Sequence, residues 1–117
     1  MVQGPLLECS FLIPIRRDIN LSDGEEHDPT DWDWFDDELF NRFGGMTYSP
    51  VRYQGDYVDP DTKARVHDES KKYVVALEES RVAELRHLLS AACVFFHQKC
   101  IYLGVAGRVE FIKPPEP

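Results

Sequence analysis

Apolar residues recur in this chain with two periods, and the order in which those periods alternate constrains the fold more than any motif does. In LLECSFLIPI, residues 6–15, the period is two: Leu7, Cys9, Phe11, Ile13 and Ile15 share one side, as on a central strand ending near Pro14. In DPTDWDWFDDELFNRFGG, residues 28–45, Trp32, Phe35, Leu39 and Phe43 fall on one narrow stripe at helical pitch, with Phe40 at its margin. Thr30 or Asp31 suits the cap of this helix, Asp33 places a carboxylate in its first turn, and Gly44 suits the C′ position. Trp32 is then expected in the core. Trp34 projects almost opposite the stripe and is expected to meet solvent or a partner.

Period two returns in MTYSPVRYQGDYVDP, residues 46–60, where Pro50 points to an edge strand or bulge. The turn signal DPDTK, residues 59–63, predicts a hairpin of residues 46–58 with 64–77, whose last stretch KKYVVAL is apolar on both sides. ESRVAELRHLLSAACVFFHQ, residues 79–98, is a second helix with Val82, Leu85, Leu89, Ala92 and Phe96 on one face and Ser80 as cap. KCIYLGVAGRVEFI, residues 99–112, reads as a strand, a tight turn at Ala106-Gly107 and a second short strand. The order is β-α-β-β-α-β with a short extra C-terminal strand: an α+β, ferredoxin-like antiparallel sheet with two helices on one face. Residues 1–117 make one domain, within which 16–30 form an acidic, turn-rich surface loop and 113–117 a proline-rich tail.

Charge divides the chain. Between Asp18 and Glu38 there are ten acids and no Lys or Arg, whereas from Leu39 onward ten acids face eleven bases, so this segment carries the net charge of −8. An acidic chain without a basic face is a poor direct ligand for nucleic-acid phosphates. No apolar run reaches the roughly 20 residues of a membrane helix, and MVQGPLLECSF lacks the pattern of a secretory signal, so a cytoplasmic location is expected. Three cysteines without paired spacing argue against a disulfide framework and agree with a reducing compartment.

ELFNRFGGMT (38–47), GDYVDP (55–60), SKKYVVAL (70–77), FFHQKCIYL (95–103) and GRVEF (107–111) occur in an order that resembles small uncharacterised bacterial domain families. Those families share an FxxGxT-like helix end, a hairpin, and a helix ending in F-x-Q before a last strand. The resemblance implies a ferredoxin-like fold and carries over no catalytic residue and no cofactor.

The chemistry-bearing motifs are sparse. Cys93, His97 and Cys100 form C-x3-H-x2-C, but a zinc site wants a fourth ligand, and helical phase puts Cys93 near the core, where it packs as a small hydrophobe. DPTDWDWFDDE and DPDTKARVHDE lack the glycine and glutamate positions of a calcium-binding loop. Gly44-Gly45 follows a helix instead of opening one, so it makes no phosphate cradle. No G-x-S-x-G or comparable context surrounds a Ser or Cys. Hence no catalytic, cofactor or metal residue is assigned. The candidate interaction surface is Trp34 for its phase on the helix, Tyr48, Arg52, Tyr53 and Tyr57 for the aromatic and basic character that interfaces favour, and Val74 and Tyr102 on the open sheet face.

The leading expectation is a non-enzymatic binding or regulatory module acting on a protein or small ligand. A small enzyme with a cleft between the hairpin and a partner subunit is the alternative, and an acidic nucleic-acid mimic a third. Because the central strands are apolar on both sides, a homodimer stacked sheet on sheet is expected, with Val74 and Tyr102 in its interface.

Overall fold

A computed structural model describes residues 4–117. The strands are β1 (Leu7–Pro14), β2 (Thr47–Tyr48), β3 (Tyr53–Val58), β4 (Arg65–Leu77), β5 (Ile101–Val105) and β6 (Arg108–Ile112). The helices are α1 (Pro29–Phe43) and α2 (Val82–Phe95), the latter preceded by a 3-10 turn at Glu79–Arg81. The strands form one antiparallel sheet in the order β2-β4-β1-β5-β6, with β3 also paired to β4. The two βαβ halves interleave in this order, so the α+β, ferredoxin-like arrangement stands, and β6 is the extra C-terminal strand.

Register decides which residues meet the helices. Cys9, Phe11 and Ile13 pair with Val75, Tyr73 and Lys71 across β1–β4, and Phe11 pairs with Leu103 across β1–β5. Apart from Lys71, all these side chains are buried, as are Leu77 and Ile101 on the same face. α1 contributes Phe35 and Leu39 to this core, and α2 contributes Leu85, Leu89, Ala92 and Phe96 at its end. Phe35 meets Tyr73 edge-on at 5.3 Å, while Phe11 stacks on Tyr73 at 5.4 Å, an offset aromatic cluster that locks α1 over the sheet centre. The opposite face carries Leu12, Val74 and Tyr102, with Val109 and Phe111 exposed at its β6 side.

Several local expectations are corrected. The first helix is capped by Asp28, not Thr30 or Asp31, because Pro29 occupies its first turn, where a missing N–H costs nothing. Asp31 instead turns back, its carboxylate accepting from the Asp28 N–H at 3.2 Å. Gly44 ends the helix at φ 77°, as its lack of a Cβ permits. Ser80 lies inside the 3-10 turn and caps nothing. α2 stops at Phe95 instead of Gln98, since His97 takes a left-handed φ of 52° and the Gln98 N–H closes on the Cys93 carbonyl at 2.8 Å. The first hairpin arm is broken at Pro50 into β2 and β3, which pair with different stretches of β4.

Residues 16–30 run over the surface, mostly exposed, but they are ordered by bonds of their own and only His27 is buried. Arg16 and Glu26 form an isolated bridge, Arg17 N–H donates to the Glu25 carbonyl, and the buried Gln98 amide donates to the Arg16 carbonyl at 2.7 Å. His27 tucks under α1, its Nε2 on the Pro14 carbonyl at 2.7 Å and its ring against Phe96 and Trp32. The segment has no apolar period because its order comes from backbone pairing with itself and with the end of α2.

Candidate active-site cleft

The fold leaves an open cleft of about 540 Å³ between the first half of α1, residues 48–52 and the middle of β4. It is formed within one chain. Trp32 and Asp36, one helical turn apart, face it from α1. Tyr48 reaches it from β2, and Arg52 from the segment that Pro50 diverts away from the ladder. Glu26 and His27 close it on the loop side.

At its floor lies Lys71. The Nζ sits 5.1 Å from the Trp32 ring centre, 4.5 Å from that of Tyr48 and 4.9 Å from that of Tyr73. Asp36 Oδ2 is 3.7 Å away, and the other oxygen of Asp36 accepts the Tyr73 hydroxyl at 2.6 Å. Burial, reinforced by this bond to a carboxylate, pushes the Tyr73 phenol well above its ordinary range, so the hydroxyl stays a donor. Arg52 bridges Glu26 at 3.0 Å and Glu69 at 3.1 Å on the rim. Burial also holds the His27 imidazole below its ordinary value, so a neutral ring lies beside the cleft's cations.

The side chains singled out in the sequence scatter. Tyr48 and Arg52 come together in the cleft. Tyr53 stands beside Lys72, and Tyr57 lines a smaller recess near Asp68. Val74 and Tyr102 lie on the sheet face away from the helices. Trp34 is not left to a partner: it is partly buried in its own chain, 4.1 Å between ring centres from Phe95, because the end of α2 passes along that side of α1. Trp32, expected in the core, is only partly buried and serves as a cleft wall. Cys93 is buried with its thiol on the Ile112 carbonyl, and burial pushes its pKa up to about 12, whereas Cys100 is exposed. Among the described residues no group of three or more His, Cys, Asp or Glu side chains is gathered as a metal set, and no helix is long and apolar enough to cross a membrane.

Lys71 and Asp36 were passed over in the sequence. The available signal was phase: Lys71 shares its strand face with Tyr73, Val75 and Leu77, all core residues, so a cation there breaks the pattern.

No family model and no curated protein matches the chain. Among solved structures it is similar to a phage SAM lyase in complex with S-methyl-5'-thioadenosine, at 13% identity and a TM-score of 0.72, covering 97% of this chain and 93% of that one. A phage SAM lyase in the apo state is also similar, at 11% identity and a TM-score of 0.64, covering 100% and 96%. At such identity the likeness is one of fold. Both of these structures are of an enzyme, and the leading expectation of a non-enzymatic binding or regulatory module is corrected on that finding. The acids of the loop are partly neutralised in place, Asp23 and Asp28 by Arg17 and Glu26 by Arg16 and Arg52.

Proposed function

We propose that this protein is a lyase that cleaves S-adenosylmethionine, with the cleft beside Trp32 as its substrate site. The observation that carries the proposal is the end-to-end likeness to a phage SAM lyase, one form of which holds S-methyl-5'-thioadenosine. The cleft suits such a substrate chemically. Its volume lies in the range of small-molecule sites, Trp32 and Tyr48 offer aromatic faces, Asp33 offers a carboxylate for an ammonium, and Arg52, held on the rim by Glu26 and Glu69, places a cation where a substrate carboxylate can exchange onto it.

The reaction asks little covalent chemistry of the protein. When a sulfonium carbon–sulfur bond breaks, the bonding pair goes to sulfur and a neutral thioether leaves without needing a proton. A lyase adds no water, so the carbon that loses sulfur must be satisfied from within the substrate. Attack by the aminobutyrate fragment's own carboxylate oxygen would do so without an enzymic nucleophile or base. The protein's part is to hold the folded substrate so that carboxylate and carbon meet, and to exclude water. This accords with a sequence in which no activated Ser or Cys was found.

Incubation of the purified protein with S-adenosylmethionine, followed by chromatography, tests the reading. Release of S-methyl-5'-thioadenosine is expected, and Arg52→Ala should slow it. An intact substrate after long incubation at high enzyme concentration overturns it.

We also propose that two copies pair through the sheet face away from the helices. Leu12, Val74 and Tyr102 lie there half-buried, flanked by Val109 at 53% and Phe111 at 61% exposure. That supports a self-complementary apolar surface.

A further inference from the structure

Lys71 stands on β4 in line with the core residues Tyr73, Val75 and Leu77, and its surroundings favour a positive charge while offering its N–H groups no close protein acceptor. An ammonium is a compact, strongly hydrated charge with three N–H donors. Here it has three aromatic faces within 5.1 Å, and its carboxylate neighbour Asp36 stands off at 3.7 Å, beyond ordinary hydrogen-bond range. The nearer use of Asp36 is taken by the Tyr73 hydroxyl. A box of π faces with one carboxylate behind them fits a cation that carries alkyl groups and donates no hydrogen bond.

We propose that the cage of Trp32, Tyr48 and Tyr73, backed by Asp36, is a binding site for an alkylated onium cation, and that Lys71 is its tethered occupant. On the lyase reading above, that cation is the substrate sulfonium. Two positive charges cannot share the cage, so Lys71 withdraws when the onium group enters. Its four-carbon stem keeps the displaced ammonium within the cleft that Arg52 also lines, where it pairs with the carboxylate of the same ligand. A neutral thioether leaves the cage without this attraction, and the returning ammonium competes with it. The cage thus favours the charged substrate over its neutral product, while Lys71 competes with both and refills the cage as the product leaves.

Tetramethylammonium chloride is the probe, because it carries the onium charge and nothing else that the cleft recognises. Its binding is followed by tryptophan fluorescence and by chemical shifts of the aromatic side chains, against sodium chloride at equal ionic strength. Lys71→Met keeps the stem volume and removes the competing charge, and it places an apolar group on an apolar face, so the fold is retained. The variant should bind tetramethylammonium at least about tenfold more tightly than the wild-type protein. Tyr48→Ala added to it should reverse most of that gain, and since Tyr48 is half exposed the double variant should fold. Equal affinity of wild-type and Lys71→Met protein for the probe, or a gain that Tyr48→Ala leaves untouched, overturns the proposal. Tetramethylammonium binding that behaves as described, without cleavage of S-adenosylmethionine by the wild-type protein, supports the cage and overturns the lyase reading alone.

Discussion

Replacing Tyr73 by Phe removes one oxygen from the middle of the molecule and tests whether the core and the cleft are joined as described. Tyr73 is fully buried (0%), packed between Phe11 and Phe35, and its hydroxyl has a single partner, Asp36 Oδ1 at 2.6 Å. A hydrogen bond to a charged acceptor contributes about 1.5–3 kcal/mol. Asp36 keeps 24% of its side-chain surface in water and retains Lys71 nearby, so losing the hydroxyl does not strand a buried charge. The cost should therefore sit at the low end, about 1.5 kcal/mol. The ring is retained, so the surface exposed on unfolding, and with it the urea m-value, should not change. With an m-value of about 1.5 kcal/mol/M, the urea midpoint should fall by about 1 M. Urea unfolding followed by tryptophan fluorescence and by circular dichroism measures both quantities. Asp36→Ala and the double variant complete a cycle in which most of the loss should appear as coupling. A midpoint that stays within experimental error of wild type, or a coupling near zero, would show that the hydroxyl does not hold Asp36 in place.

Burial lowers the His27 pKa, so the unfolded chain takes up a proton that the folded chain refuses as the pH drops below about 6.5; stability should decline there with falling pH, and in His27→Gln that part of the slope should vanish from urea midpoints measured between pH 7 and 5. Ala106 and Gly107 both have positive φ, 49° and 85°, in the two-residue β5–β6 turn, and the left-handed region costs a residue with a Cβ roughly 1–2 kcal/mol. Ala106→Asn should recover part of that and raise the thermal midpoint by a few degrees, whereas Gly107→Ala should lower it. Val74→Glu or Tyr102→Glu should halve the mass seen by light scattering if the open sheet face pairs two copies, and a wild-type protein that is monomeric at high micromolar concentration would refute the pairing.

Periodicity alone was enough for the strand and helix order, and hence for the fold class, because a residue's phase is local: Phe11, Phe35, Leu39, Leu85 and Leu103 had to lie inside wherever the elements met. Local chemistry likewise marked Gly44 as a helix end, Pro50 as a break in the ladder and Ala106-Gly107 as a turn. The cleft was not legible in this way. Trp32 and Asp36 belong to α1, Tyr48 to β2, and Lys71 and Tyr73 to β4, and they meet because β4 lies between β2 and β1 beneath the helix. Helical phase assigned Trp34 to the outside correctly with respect to its own helix, yet Phe95, the last residue of α2, packs against its ring and leaves it only partly exposed. The acidic segment showed no period, since its order resides in backbone bonds to itself and to Gln98, which any side chain allows. What side-chain pattern encodes is which surface an element buries; what lies against that surface, and therefore where a cation is caged by aromatic rings, was decided by the packing of the sheet and both helices.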